Sequence, residues 1–543
     1  MREEQGAYIR ASGGFRMQDI ADQDMKPELI VHSFDANKSR DPFSIPELKN
    51  WLASSATLQV TDLEEKIKQF HYVDCSDHQR LELLDWIRPL ITKTATAVRA
   101  AIADGKLPLP DYVMTHIDAL GRVYAIMADL YKGTVMSLAS RVLQDSEESP
   151  ESRKELHEDL ILACYGAINY LAEQLRAFYE SYKPAPAGIW HEIHHVYTYS
   201  RFILDISGDS GVNEEKMRDE FFLIEHVYKR SLLLGLCNPY HFPVVAFGEL
   251  NRNLNKWAHL CTLEHDIHTA KQQCMFSVDS ESDYPAVPVL SHSGDLATAE
   301  RFSVLNTKEL VNALKREVDL LAHLAFDGPV TNVSQKAMHR VEMLRRLILN
   351  WGKHPVRQDA RKNRDGKCEA VAGYKEVMGE MGSMLVTAVK KGPMNDQRTC
   401  MIINDSEMGC QVELKTDKGS RFKIGDMVAL RDSRDLNQWS LAVVRWARYT
   451  DENRIRVGMF IMGQQAERFK LQVSLSSDKT IGVMSVAETS NFPGNKKILL
   501  VPTGTYRPGR KMELVGGGNH RIKARNLLMS GADFDVIDYK ILN

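Results

Sequence analysis

Six residues in the second half of the chain have the types and spacing to hold an anionic, base-bearing ligand. Arg357, Arg361 and Arg364 fall in the segment HPVRQDARKNRDGK, and Asn404, Ser406 and Gly409 follow in IINDSEMGC at the spacing N-x-S-x-x-G. A guanidinium keeps its charge, pairs two-pronged with phosphate or with the O6/N7 edge of guanine, and stacks on a base face. Asn and Ser offer donors and acceptors on short arms, for a base edge or for bracing their own turn. Glycine lets backbone come close to a ligand. Each half is common alone: arginines four apart arise by chance among 69 Lys and Arg, and N-x-S-x-x-G alone reads as a turn. In this order, with strand-like text after them, they point to one site.

That text alternates and is punctuated like a run of strands. Val412 and Leu414 come first, then Phe422, Ile424 and Gly425, then Met427 to Leu430. Trp439 to Arg448 and Ile455 to Met462 follow, separated by the polar turn Tyr449 to Asn453. Arginines four apart, N-x-S-x-x-G at a strand-to-turn junction, and then G-D-x-V-x-L, W-x-L-A-V-V-R-W and V-G-M-F strands together resemble the PilZ domain over about residues 355–475.

The resemblance implies a small β-barrel that binds the bacterial second messenger cyclic di-GMP. It assigns ligand binding to Arg357, Arg361, Arg364, Asn404, Ser406 and Gly409, with Arg357 and Arg361 as the expected pair and Arg364 as the substitute for Arg357 in another register. It implies no catalytic residues, no metal and no cofactor beyond the ligand. Two departures from the family pattern matter. Asn404 stands where Asp is commoner, which keeps hydrogen bonding and removes a charge. Arg361 and Asn404 are 43 positions apart, which implies an insertion, with Val377 to Pro393 as an extra helix or loop.

The elements that must carry this site divide the chain into four: a flexible tail over 1–60, an α-helical domain over 61–352, the PilZ-like barrel over 353–475 and a β-rich segment over 476–543. The fold class expected is therefore multidomain, all-α at the amino-terminal side and β-barrel after it. The tail is rich in Gly, Pro and polar residues, with one docking turn around Ile45 to Leu52. In Leu160 to Tyr182 the residues Leu160, Ile161, Cys164, Ile168, Leu171, Leu175, Phe178 and Tyr182 line one helical face. Similar faces occur in Leu81 to Ile102, Tyr112 to Leu143, Phe221 to Leu236, Leu310 to Leu324 and Met338 to Trp351, with breaks at Pro108, Pro150, Pro184 to Pro186 and Ser207 to Asp209. Lys271 to Ala299 reads as a long loop or a hairpin against the bundle. After residue 475, strands are expected at Ile481 to Val486, Lys497 to Val501, Lys511 to Val515, His520 to Leu528 and Phe534 to Lys540, as a second small barrel or an extension of the first. Arg507 and Arg510 are its exposed cations.

Composition narrows the functions. With 43% hydrophobic and 26% charged residues in 543, the chain is long enough for several cores. A net charge of −3 argues against a nucleic-acid polymer or an anionic membrane as the main partner. The eight cysteines are scattered without a C-x-x-C pair, which fits a reducing compartment, and no run approaches the roughly 20 apolar residues that span a bilayer. The first residues lack the apolar core of a secretory signal. A cytoplasmic protein is expected, recruited to the cell pole or inner-membrane machinery, coupling cyclic di-GMP to attachment, motility or type IV pilus output through a protein partner of its helical domain.

Two other functions compete. One is a scaffold whose barrel has lost its ligand. The other is a zinc metallopeptidase at His191-Glu192-Ile193-His194-His195, in which His191 and His195 would share a helix face, Glu192 would act as base, and Glu214, Glu215 or Glu220 would be the third ligand. The aromatic and aliphatic stripe of Trp190, Ile193, Tyr197 and Phe202 argues instead for a core helix with histidines at its edge. Gly208-Asp209-Ser210-Gly211 and the triple glycine Gly516 to Gly518 read as turns.

Overall fold

The computed structural model describes residue 29, residues 45–47 and 50, and then residues 59–542 apart from 145–148, 208–213, 265–272, 290–300, 327–331, 354–359, 387–397, 418–420, 435–438, 465, 474–479, 488–491, 493–496 and 516–518. The expected tail over 1–60 falls almost wholly outside these residues, as do Arg357 and the Gly208 to Gly211 and Gly516 to Gly518 turns.

The amino-terminal half is helical, with α1 (Val60–Ile67), α2 (Asp77–Ile102), α3 (Asp111–Gln144), α4 (Pro150–Glu180), α5 (Ile189–Ser207), α6 (Glu214–Leu236) and α7 (Val244–Trp257), then α8 (Lys308–Phe326) and α9 (Asn332–Gly352). Local signals start these helices where they start. Ser76 and Gln79 form a reciprocal capping box on α2, and Ser149 caps α4 with Pro150 at its first position, where a missing N–H costs nothing. The segment expected to be a loop or hairpin over 271–299 contributes two strands to a four-stranded antiparallel sheet. Its order is β1 (Thr262–Glu264), β4 (Phe302–Asn306), β2 (Met275–Asp279), β3 (Val287–Pro288), and Phe276, Val278 and Leu305 are buried. Helix α7, not singled out from the sequence, buries Phe247, Leu250, Leu254 and Trp257, spaced three and four apart on one face.

The carboxy-terminal half is two closed antiparallel barrels. The first contains β5 (Lys362–Ala372), β6 (Thr399–Ser406), β7 (Gly409–Lys415), β8 (Met427–Asp432), β9 (Trp439–Asp451) and β10 (Arg454–Gln464). The second contains β11 (Ala466–Gln472), β12 (Thr480–Ala487), β13 (Lys497–Pro502), β14 (Lys511–Val515), β15 (His520–Ser530) and β16 (Phe534–Leu542). Each closes in the same circular order of its own strands, first, second, third, sixth, fifth, fourth. Two boundaries differ from expectation. Strand β11, expected to lie within the first barrel's span, pairs with β12 and β14 and belongs to the second. The turn expected at Tyr449 to Asn453 shrinks to Glu452 and Asn453, because Tyr449 pairs with Ile455 and is buried.

The insertion between the two halves of the motif is helix α10 (Tyr374–Val386), wedged between the barrels. Tyr374 donates its hydroxyl to the Gly482 carbonyl at 2.8 Å and stacks on Phe534, while Val377 and Met378 share a core with Met427, Leu441, Met484 and Val536. Strand β8 is consequently apolar on both faces, with Val428 and Leu430 in one core and Met427 and Ala429 in the other.

The first barrel is also joined to the helices. Leu107 and Phe422 exchange backbone hydrogen bonds of 2.6 and 2.8 Å. The Tyr449 N–H donates to the Tyr182 carbonyl at 2.9 Å, and the Tyr449 hydroxyl accepts from the Leu109 N–H at 2.7 Å. The barrel's inner residues Val412, Val457 and Tyr449 belong to the same hydrophobic core as the helices. No helix among the described residues is long and apolar enough to cross a membrane.

Candidate functional site

The N-x-S-x-x-G residues form the tight hairpin between β6 and β7. Ser406 pairs with Gly409, Asp405 with Cys410 and Asn404 with Gln411. Because side chains alternate across a strand, Asn404, Ser406 and Gln411 share the outer face of the barrel. The Ser406 hydroxyl donates to the Gly409 carbonyl at 3.2 Å, bracing the turn. Glycine is required at 409 by close packing: a Cβ there would sit 2.6 Å from the Met459 carbonyl oxygen of the neighbouring strand. The inner face of the hairpin carries Cys410, Val412 and Leu414, where burial pushes the Cys410 thiol up to about 12.

Strand β5 brings two of the three arginines to this hairpin, with Asn363 opposite Asn404. The Gln411 side-chain oxygen accepts from Arg361 Nη1 at 3.1 Å and from Asn404 Nδ2 at 2.8 Å, so one amide ties the two halves of the motif together. Asn404 Oδ1, by contrast, is buried and has no hydrogen-bond partner among the described residues. A buried acceptor left unpaired is costly, and here it stands beside a guanidinium.

Arg364 takes another role. It is clamped by ion pairs to Asp405 and Asp432, and Asp432 also holds Arg434 at 3.2 Å. A phosphate approaching Arg364 would meet two carboxylates already in place. Arg361 instead donates to the neutral Gln411 amide, which Asn404 shares. Arg357 lies outside the described residues.

The outer face extends as one cross-strand row over β5, β6, β7, β10 and β9: Asn363, Asn404, Gln411, Gly458 and Trp446. Gly458 leaves room for the Trp446 indole, which lies so close that a Cβ would overlap it. The indole faces the ring of His241, 6.4 Å away in the helical half. Burial, with Arg346 and Arg445 nearby, holds His241 down at about 4, so this ring is neutral near pH 7. In the next row Glu413 pairs with Arg456 at 2.9 Å, and Arg448 lies over the Tyr240 ring. One face of the barrel thus runs from a polar hairpin to an aromatic contact with the helices.

Of the sequence-derived residues, the structure brings together Arg361, Asn404, Ser406 and Gly409, and places Arg364 in a separate clamp. Gln411, Trp446 and the carboxylates Asp405 and Asp432 were not singled out from sequence. Gln411 carried a signal, since a two-residue turn puts it opposite Asn404; Trp446 and Asp432 depend on pairings between distant strands.

The H-E-x-x-H segment lies on α5. His191 and His195 lie with ring centroids 3.9 Å apart, their planes tilted by 41°. Glu192, the expected base, instead accepts a 2.5 Å hydrogen bond from Lys132, a lysine 1% exposed that also pairs with Asp129. The backbones of Glu214, Glu215 and Glu220 are on α6, and their side chains lie outside the described residues. A carboxylate committed to a buried ammonium is a poor general base, and the peptidase reading fails on that contact.

Two family models match the chain. One, described as the N-terminal domain of the cyclic-di-GMP receptor FimW, matches residues 47–269; the other, described as the middle PilZ domain of the same receptor, matches residues 387–467. Together they span more than half of the chain. The second match contains Asn404, Ser406 and Gly409 and strands β6 to β10, and begins after the arginines and β5. No curated protein matches the sequence.

Proposed function

Because the chain belongs to the family of the cyclic-di-GMP receptor FimW, we propose that it binds cyclic di-GMP on the outer face of the first barrel and passes the bound state to the helical half. The family is one of receptors rather than enzymes. The observation that carries the site is the unpaired, buried Asn404 Oδ1 beside Arg361. The N1–H and N2–H donors of a guanine would satisfy that oxygen, while Arg361, with Arg357 before it, would take the phosphates or the O6/N7 edge. Ser406 and Gly409 hold the hairpin close enough for both contacts. Arg364 acts as a brace for the strand ends and not as a ligand group.

A ligand shifts a protein only through a difference in its affinity for two states. In this receptor the difference would arise where the outer row meets the helices, at Trp446 and His241, and in the segment from Arg357 to Arg364 that enters β5. The output we assign is attachment, motility or pilus behaviour through a protein partner of the helical half, with the receptor in the cytoplasm beside its messenger.

Calorimetric titration of cyclic di-GMP into the full chain, into Arg361→Ala and into Asn404→Ala, with GMP as control, tests the site. The parent should bind in the micromolar range or tighter, about −8 kcal/mol or better, and both variants should bind at least about tenfold more weakly. A parent with no heat and no thermal shift would make the barrel a ligand-free docking module. The output is tested by attachment of cells carrying Arg361→Ala at normal protein level, which should match a deletion.

A further inference from the structure

We propose that His191, His195 and Glu281 form a binding site for a divalent transition-metal ion of the zinc class, a structural staple between helix α5 and the turn after strand β2. The proposal is independent of the cyclic-di-GMP site and departs from the expectation that the chain holds no metal.

The three donors converge. Each offers one ligand atom, and these lie within 4.8 Å of one another. Glu281 Oε2 is 3.7 Å from His195 Nε2 and 4.0 Å from His191 Nε2. Ligand bonds of about 2.0–2.2 Å in a tetrahedron put neighbouring donors about 3.3–3.5 Å apart. For the two carboxylate–imidazole pairs the gap is about 0.2–0.7 Å, and all three donors lie within 4.8 Å, so side-chain rotation at the exposed Glu281 and the two imidazoles has to close the shell. Two imidazoles and a carboxylate, borderline nitrogen donors with one hard oxygen, suit Zn²⁺ over Mg²⁺ or Ca²⁺, which prefer all-oxygen shells. Glu281 is 57% exposed on its side chain, so the fourth position opens to water.

The scaffold around the donors is built. The Asp283 carboxylate accepts from the Gly188 N–H at 2.7 Å and the Trp190 N–H at 3.0 Å, pinning the turn to the first turn of α5. His194 Nε2 meets the Tyr284 carbonyl at 2.9 Å. Within the turn, Asp279 accepts from the Glu281 N–H at 3.1 Å and from the Ser282 hydroxyl at 2.8 Å. Glu281 is therefore delivered over a histidine pair spaced one helical turn apart. With Glu192, the carboxylate of the H-E-x-x-H pattern, held by Lys132, an ion here would fasten rather than hydrolyse.

The test is metal uptake by the full chain after chelator treatment and desalting, with Zn²⁺ for stoichiometry and Co²⁺ for its visible bands. We expect one ion per chain, intense low-symmetry Co²⁺ absorption, and a raised thermal midpoint on adding Zn²⁺. His191→Ala with His195→Ala should abolish all three, and Glu281→Gln, an exposed change that leaves the helix intact, should weaken binding at least about tenfold. Metal-free unfolding of each variant reports whether it is folded. A parent that takes up no stoichiometric metal, or a Glu281→Gln protein that binds as tightly as the parent, would overturn the proposal.

Discussion

The two barrels close in the same strand order, yet among the described residues the polar outer hairpin tied to an arginine belongs to the first. In the first barrel the hairpin between the second and third strands holds Asn404, Ser406, Gly409 and Gln411, and the first strand enters with Arg361 and Arg364. The second barrel enters on Ala466-Glu467-Arg468-Phe469, without arginines four apart, and its Arg510 is spent on the Thr505 carbonyl at 2.8 Å. Both cores are sealed by aliphatic residues, Val412 and Val457 in one, Val483, Leu499 and Ile537 in the other. Closure is thus a matter of the inward residues, and the proposed recognition a matter of the outward residues of one hairpin.

The sharpest way to break this comparison is to exchange cations between the barrels. Arg361→Ala should weaken cyclic di-GMP by about 2–3 kcal/mol, some 30- to 150-fold, the range for a hydrogen bond to a charged group. Arg510→Ala should change affinity less than about twofold in the same calorimetric titration. Equal losses would place the ligand elsewhere.

The seam between the barrels offers the next largest effect. Asp426 is buried where the Gly425 carbonyl accepts from the Ala532 N–H, and burial raises its carboxyl from 3.8 to about 6, against a hydrogen bond from the Lys423 N–H. A carboxyl with a raised folded value contributes stability below its unfolded value and loses it as pH rises through the folded one. Asp426→Asn keeps an acceptor for Lys423 and removes the charge. It should be more stable than the parent at pH 7.5 by at most about 3 kcal/mol, with the advantage fading between pH 6 and pH 4. Urea midpoints across that range check the sign.

Two glycines sharpen the contrast further. Gly409→Ala in the first barrel drives a methyl onto a backbone oxygen, and should cost about 1–3 kcal/mol in denaturant unfolding and lower affinity as the hairpin shifts. Gly482→Ala in the second meets only the terminal methyl of Met378, at 2.9 Å, which can swing away. It should cost less than about 1 kcal/mol.

What was legible before the structure follows the same division. Asn404, Ser406 and Gly409 could be read because one hairpin sets their spacing, and the helices because their apolar periods are long. The helix in the insertion was half visible, and its role was not, since Tyr374 meets Gly482 and Phe534 more than 100 residues away. Strand β11 escaped because Leu471 is its one fully buried residue, too weak a pattern to separate from a loop. The ion pairs of Arg364 were not legible, because arginine announces a charge but not its partners, and Asp432 lies 68 positions on. Glu281 was hidden from His195 for the same reason.

The Tyr449 contacts bear on how this chain can be taken apart. Its main chain and its hydroxyl each hold a different connection of the helical half, and Leu107 and Phe422 add a backbone pair nearby. A barrel fastened in this way is not a cassette. Transplanting residues 360–464 onto another protein would carry away half of each bond and bare the apolar surface beneath. Recombination can shuffle such a sensor only together with the helices it leans on, and the two halves are therefore bound to drift, and to be inherited, as one piece.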